Sequence, residues 1–454
     1  MTDVDTALTR EENQSDDQDL SGIARQSTSV PGVDPYAPPP AVPRSLTFVA
    51  EQRNGGCFTM DSTVQTVLFK VDARGIDPEI GPPHRCSLNL ALVVDRSGSM
   101  EGRWLDSVKR ACNALLDIAG PTDFVSVVAF AETADLILPA RHVVHKTEAR
   151  DRINKIAAGN TTNLHQGLVT AFNQLTAVKN SGTLSRVILI TDGGPTAGTK
   201  DSQAILSQVV EQKSRGISVT AVGLGSDYDE ELLGGIASRT GGNFYHVPDP
   251  DHLADVLKSE FDELARVVAR NLRLRVRLTR GAGVRQVYGH PPIYGNGVVE
   301  LELGVVDQNR GLRSLWDFEL STRSPGRYRI GQADLRYDDL NTGRPERIVV
   351  DLIYDFALGC DDITPSQSAI DFDAELVVAE AVRTIDKTLL AVRRQNLEAA
   401  VVIQELEKVK AIFSNHGRHA AAAVVAETAA KIQAGGSIAK ILTNTVYNLD
   451  QGKT

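Results

Sequence analysis

Asn89-Leu90-Ala91-Leu92-Val93-Val94-Asp95-Arg96-Ser97-Gly98-Ser99-Met100 decides the fold class of this chain. Leu90–Val94 is a continuous apolar run rich in branched side chains, without the polar alternation of a strand half in water. Such a run predicts a strand covered on both faces, as in the interior of a parallel sheet. Asp95 ends the run, Ser97, Gly98 and Ser99 make a tight turn, and an amphipathic helix follows. In that helix Leu105, Val108, Cys112, Leu115 and Ala119 fall at helical spacing, and Gly120-Pro121 stops it. Sites in open α/β sheets form where strands end at their carboxyl edge, so Asp95, Ser97 and Ser99 are expected to present oxygen groups there. Taken alone, Asp-x-Ser-x-Ser also fits an ordinary strand-to-helix turn whose serines cap a helix.

Two later stretches decide between these readings. Gly159-Asn160-Thr161-Thr162-Asn163 precedes a helix with its own apolar stripe, Leu164, Leu168, Phe172 and Leu175. Arg186–Thr191 is a second buried strand, and it ends in Asp192-Gly193-Gly194. Together the three pieces resemble a von Willebrand factor type A domain with its metal-ion-dependent adhesion site, over about Cys86 to Val268. The resemblance implies that Ser97, Ser99 and Thr162 bind Mg2+ directly and that Asp95 and Asp192 act through water. Thr162 is chosen because it directly precedes Asn-Leu and a helix; Thr161 is the neighbouring alternative. Mn2+ or Ca2+ would suit the same oxygens. Mg2+ is hard, wants octahedral oxygen and keeps some of its water. Three neutral hydroxyls and two carboxylates at one remove leave it under-neutralised, so it would favour a carboxylate offered by a partner. The implied function is a Mg2+-dependent protein–protein interaction module that binds an Asp or Glu of another protein and has no catalytic residues. The resemblance extends to bacterial type A-domain proteins, whose cytoplasmic members often work beside AAA+ ATPases or signalling proteins. A related plant group carries a RING finger, which four scattered cysteines cannot supply here.

Outward from this centre, residues 1–44 are acidic and then proline-rich, a composition that predicts disorder. Residues 45–85 hold two predicted strands, Leu46–Ala50 and Thr63–Val71, with a turn at Gly55-Gly56 and a linker at Ile80-Gly81-Pro82-Pro83. Residues 86–268 alternate strands and helices. After the first strand and helix come a strand at Phe124–Phe130, an edge strand at Leu136–Val144 with Pro139 inside it, and a helix near Glu148–Ala158. Beyond Asp192 follow a helix at Ser202–Ser214, a strand at Ile217–Leu224, a helix at Asp229–Arg239, a strand at Asn243–Val247 and a helix at Asp249–Val268. This alternation argues a doubly wound, Rossmann-like, mainly parallel sheet.

Residues 269–360 change period. Leu272, Leu274, Val276 and Leu278 alternate with Arg273, Arg275, Arg277 and Thr279, a strand with one buried and one wet face. Strands near Gly283–Tyr288, Val298–Leu303, Arg313–Leu320, Arg327–Arg336 and Arg347–Tyr354 complete a predicted β-sandwich, together with the strands of 45–85. The α/β domain would then be inserted in the sandwich, as integrin β-chains insert theirs. The arginine stripe reads as a solvated strand face with its own ion pairs. Residues 361–454 are alanine-rich and predict helices at Ala374–Arg394, Asn396–Phe413 and His419–Gln433. Their stripes are Val377, Ala381, Ile385, Leu389 and then Leu397, Val401, Leu406, Val409, which suits a small bundle.

At 454 residues the chain is too long for one core. A net charge of −10 argues against nucleic acid as a main partner. No apolar run reaches the length of a membrane span, and the first residues lack the pattern of a Sec signal, so a cytoplasmic location is expected. The cysteines form no Cys-x-x-Cys, and Cys112 reads as a small core residue. A phosphoryl-transfer enzyme would use the buried-strand aspartate too, but no Gly-x-x-x-x-Gly-Lys-Ser/Thr loop or Gly-x-Ser-x-Gly elbow is present. Lys109 and Lys200 are near only in sequence, and His165 reads as a surface helix residue. A structural assembly protein acting through its helical tail is the remaining alternative.

Overall fold

The computed structural model describes residues 45–53, 56–58, 63–74, 85–178, 182–289, 292–309, 311–358, 369–395 and 397–450. All lie within the unit Arg44–Thr454. The acidic, proline-rich stretch before Ser45, the Ile80–Pro83 linker and Cys360 fall outside the described residues.

The first strands are β1 (Leu46–Gln52), β2 (Gly56–Phe58) and β3 (Thr63–Ala73). Gly56, predicted in a turn, is instead paired in parallel with a strand near the end of the sheet region. The alternating region then runs β4 (Ser87–Asp95), α1 (Arg103–Ile118), β5 (Phe124–Phe130), β6 (Ala134–His142), α2 (Lys146–Asn154), α3 (Leu164–Ala177), β7 (Thr183–Thr191), α4 (Ser202–Ser214), β8 (Ile217–Leu224), α5 (Glu230–Thr240), β9 (Phe244–Val247) and α6 (Leu253–Ala265). Its sheet has the order β6-β5-β4-β7-β8-β9, parallel throughout except for the antiparallel edge strand β6. The unbroken apolar run of β4 now has its reason. Leu88, Leu90, Leu92 and Val94 enter one core with α1, α2 and α6, while Ala91 and Val93 enter another with α3, α4 and α5. A strand that serves two cores has no face left in water, and its one buried amide, Asn89, donates to the Leu175 carbonyl at 2.9 Å.

The predicted helix at Asp249–Val268 ends earlier, at Ala265. Val267 and Val268 already belong to β10 (Val267–Leu278), where β-branched side chains pack on a pleated surface. Next come β11 (Ala282–Val287), β12 (Ile293–Gly295), β13 (Val298–Asp307), β14 (Leu312–Leu320), β15 (Gly326–Asp339) and β16 (Arg344–Ala357). They form two sheets, β1-β3-β14-β11 and β12-β13-β10-β15-β16-β2. Phe69, Trp316 and Phe318 of the first sheet share one core with Leu274, Leu301, Leu335 and Tyr354 of the second. Because β3 pairs with β14, the α/β segment leaves from one sheet and returns to the other. On the wet face Arg275 pairs with Glu300 at 3.0 Å and Arg273 with Glu302 at 3.8 Å, so the arginine stripe carries its own ion pairs.

The C-terminal region has α7 (Ala369–Gln395), α8 (Ala399–Asn415), α9 (His419–Gln433) and α10 (Ile438–Asp450), which share a core of their own. The last helix is one more than the sequence predicts. In α8 the buried face is Val402, Leu406, Val409 and Phe413, and Val401 is 43% exposed. A spacing of four, three and four residues keeps the stripe on one face, and that register excludes Val401.

Candidate metal-binding site

Since β4 and β7 run parallel and adjacent, with Val94 opposite Ile190, Asp95 and Asp192 finish at the same edge of the sheet. Asp95 is fully buried. One of its oxygens accepts the Ser97 backbone N–H at 2.8 Å, and the other accepts the Thr191 hydroxyl at 2.5 Å. The Ser97 and Ser99 hydroxyls lie 3.2 Å apart, and Ser99 donates to Asp192 at 2.9 Å. Four of the five predicted residues are thus linked in one network.

The threonine loop joins from the side. A Cβ placed on Gly98 would lie 3.4 Å from the Gly159 carbonyl, so this loop abuts the serine turn. Gly159 itself has no room for a side chain: a Cβ there would be 2.6 Å from Ala131. Asn163 fixes the loop's exit by donating its N–H to Ala131 at 2.7 Å and capping α3 through Gln166 N at 3.2 Å. Thr162, 5% exposed, donates its N–H to Thr196 Oγ1 at 2.8 Å, and its carbonyl accepts the N–H groups of Thr196 and Ala197. The segment after Asp192 therefore holds the threonine loop in place. The hydroxyl of neighbouring Thr161 is buried without a hydrogen-bond partner among the described residues.

The electrostatics are one-sided. Burial pushes Asp95 up to about 6, against the pull of its bonds from Thr191 and Ser97, and the charge of Asp192 adds to the rise. Burial also raises Asp192, partly offset by the Ser99 bond and reinforced by the charge of Asp227. No ion pair involves either carboxylate among the described residues. Arg96 is next in sequence, but its guanidinium is engaged by Asp135 at 2.8 Å and the Ala157 carbonyl at 3.3 Å. Two carboxylates and a set of hydroxyls without a cation are the donor chemistry of a hard divalent ion. No cluster of three His, Cys, Asp or Glu suited to a metal occurs among the described residues. His165, Lys109 and Lys200 make no hydrogen bond or ion pair to this network.

Sequence reading overlooked Thr191 and Thr196, which hold the other residues without facing the site as strand-end acids do. Thr191 carried a readable signal: it is a hydroxyl that closes the apolar run Val187–Ile190, directly before the strand-end Asp192.

The doubly wound sheet with oxygen groups gathered at its carboxyl edge defines the class, and comparison with known proteins agrees. Residues 89–259 match the model of the von Willebrand factor type A domain, and this part of the chain is such a domain. An uncharacterised protein of Synechocystis sp. is 28% identical over 272 residues, which is 57% of this chain and 64% of that protein. Inter-alpha-trypsin inhibitor heavy chain H2 of Homo sapiens is 27% identical over 221 residues, 46% of this chain and 23% of that one. The chain thus spans less than two thirds of the length of these curated relatives. Among solved structures, a von Willebrand factor type A protein from Catenulispora acidiphila has a TM-score of 0.67 at 16% identity, over 90% of this chain and 96% of that one. The ArnB paralog VWA2 from Sulfolobus acidocaldarius has 0.61 at 16% identity, over 90% and 98%. At that identity the likeness is one of fold. Type A domains are commonly protein–protein interaction modules, and they often bind a divalent metal. No helix among the described residues is long and apolar enough to cross a membrane.

Proposed function

We propose that this protein is a non-enzymatic, Mg2+-dependent interaction module that captures a partner protein through an Asp or Glu side chain. The observation that carries the reading is the cation-free pair of carboxylates, Asp95 and Asp192, tied to Ser97 and Ser99 at a sheet edge. Ser97, Ser99 and Thr162 would ligate the ion, and Asp95 and Asp192 would hold its water. When bound, the ion supplies a Lewis-acidic position for a carboxylate from outside. Asp95 is oriented by Thr191 and Ser97, which engage one oxygen each. Arg96 ties the first site loop to β6 and to the segment that leads into the threonine loop, and Thr196 ties the threonine loop to the segment after Asp192.

The test is calorimetric titration with Mg2+ and Mn2+, followed by affinity capture with wild type in Mg2+, wild type in EDTA, and Ser97→Ala in Mg2+. Metal binding lost in Ser97→Ala, with a partner retained only in the first sample, supports the reading. Thr162→Ala should weaken the metal and Thr161→Ala should not; the reverse pattern moves the ligand by one residue. A partner captured equally in all three samples would place the function in the helical region or the paired sheets.

A further inference from the structure

We infer that Lys440, on the last helix of the C-terminal bundle, is a positioning residue for the candidate metal site: it holds the loop 225–229 that backs the Asp192 and Ser99 loops. This inference rests on the proposed metal-binding reading.

Lys440 is a buried ammonium, only 6% exposed, that reaches from its bundle to the α/β domain. Its Nζ donates to the carbonyl of Ser226, in the loop between β8 and α5, and lies 4.2 Å from the Tyr228 ring centroid. A cation over an aromatic face and against a carbonyl is attracted by both, more strongly where water is excluded. Tyr228 cannot retreat. Its ring lies over Gly223, where a Cβ would be 2.5 Å from it, and its hydroxyl is 2.9 Å from His246 Nδ1. Elsewhere α10 is seated on the α/β domain by Thr443, whose methyl is 3.3 Å from the Cβ position of Gly234 in α5.

The same loop reaches the site on its other side. Gly225, at φ +64°, presents a bare Cα to Trp104, 3.5 Å from where a Cβ would be. Trp104 stands at the start of α1, just after the Ser97–Ser99 turn. The Asp229 Cβ is 3.7 Å from the Cβ position of Gly194, two residues past Asp192, and the charge of Asp227 acts on Asp192. Lys440 thus holds the Ser226 carbonyl and the Tyr228 ring of a loop whose next residue, Asp229, stands beside Gly194 in a site loop. A methionine would fill the channel of the lysine stem without desolvating a charge. What the ammonium adds is a fixed position for the Ser226 carbonyl.

The experiment compares full-length wild type, Lys440→Met, Lys440→Arg and Ser97→Ala. Each is titrated with Mg2+ and Mn2+ and followed by hydrogen exchange at residues 193–198 and 225–229. The expected result for Lys440→Met is metal affinity reduced by about fivefold, with faster exchange in both loops and unchanged helical circular dichroism. Lys440→Arg should recover part of the affinity. Should Lys440→Met fail to fold, Lys440→Leu, which likewise offers no donor to Ser226, replaces it. Affinity within twofold of wild type in the folded variant overturns the inference. Metal binding absent in wild type, or retained in Ser97→Ala, overturns the site reading instead, so the two failures are distinguishable.

Discussion

Two aspartates are fully buried in the type A domain, at opposite edges of one sheet, and they are treated in opposite ways. Asp123, just before β5, accepts the Leu88 and Gly120 N–H groups at 2.9 and 2.8 Å and both guanidinium nitrogens of Arg85 at 3.1 and 2.6 Å. Arg85 is itself held 5.2 Å over the Phe261 ring, so β4, β5 and α6 are locked together at the amino edge. Asp95, at the carboxyl edge, accepts one N–H and one hydroxyl, and its nearest charged neighbour in the network is another carboxylate. A buried charge costs several kcal/mol unless it is paired. The first edge meets that cost within the fold; at the second no cation of the fold meets it, among the described residues, which is what the proposed metal would supply. Local rules are kept at the amino edge and broken at the carboxyl edge, as expected if the second is the functional one.

The largest expected effect breaks the closed edge. Asp123→Ala strands the Leu88 and Gly120 N–H groups and removes the partner of Arg85, and it should cost about 3 kcal/mol in urea denaturation. Metal affinity should stay as in wild type; a stability loss under 1 kcal/mol would mean that this pair adds nothing. The open edge should respond in the other sense. Without metal, Asp95→Asn should be at least as stable as wild type, because a neutral amide avoids the burial penalty and Thr191 can turn its hydroxyl to accept. With Mg2+ at about 100 times its dissociation constant, wild type should gain about 2.7 kcal/mol and the variant nothing. Thermal melts with and without EDTA measure both. Thr191→Val, which strands one Asp95 oxygen, should cost about 1.5 kcal/mol without metal. A melt unchanged from wild type would show that this hydroxyl does not steady Asp95.

The same contrast explains what could be read from the sequence. β4, β5 and β7 were legible because strands between two helical layers carry near-continuous apolar runs in place of alternation. Asp95, Ser97, Ser99, Thr162 and Asp192 stood out because each falls where an apolar run ends or a helix begins. Their supports did not. Thr196 holds Thr162 across a loop contact between residues 34 apart, which no local pattern records. β2 and β12 have three residues each, too few for a period. The helix α10 was hidden for a different reason. It follows Gly435-Gly436 and contains Thr443, Thr445, Val446 and Asn448, all weak helix formers. Burial of Ile441, Leu442 and Leu449 against the bundle overrides that preference. Val401 and Val402 are adjacent valines, and only the packing of the helix decides which of them is covered.

Lys440 is another buried charge, intermediate between the two aspartates, and its smallest consequence is a pH dependence. His246 is held below the ordinary histidine value by burial first, and then by the charges of Lys440 and Lys431. In that condition the unfolded chain binds a proton that the folded chain refuses. Stability therefore rises with pH up to the unfolded value of about 6.5 and falls on acidification below it. His246→Gln should flatten this part of the curve. Lys440→Met should flatten it less, because it removes one repulsive charge and leaves the burial. Urea midpoints at pH 5, 6, 7 and 8 for the three proteins isolate the effect from the carboxylates, which are common to all. Parallel curves would show that Lys440 and His246 do not sense each other. A shallower slope in Lys440→Met would show that the bundle's ammonium is felt at the end of β9, on the loop side of the sheet where Asp95 lacks a countercharge.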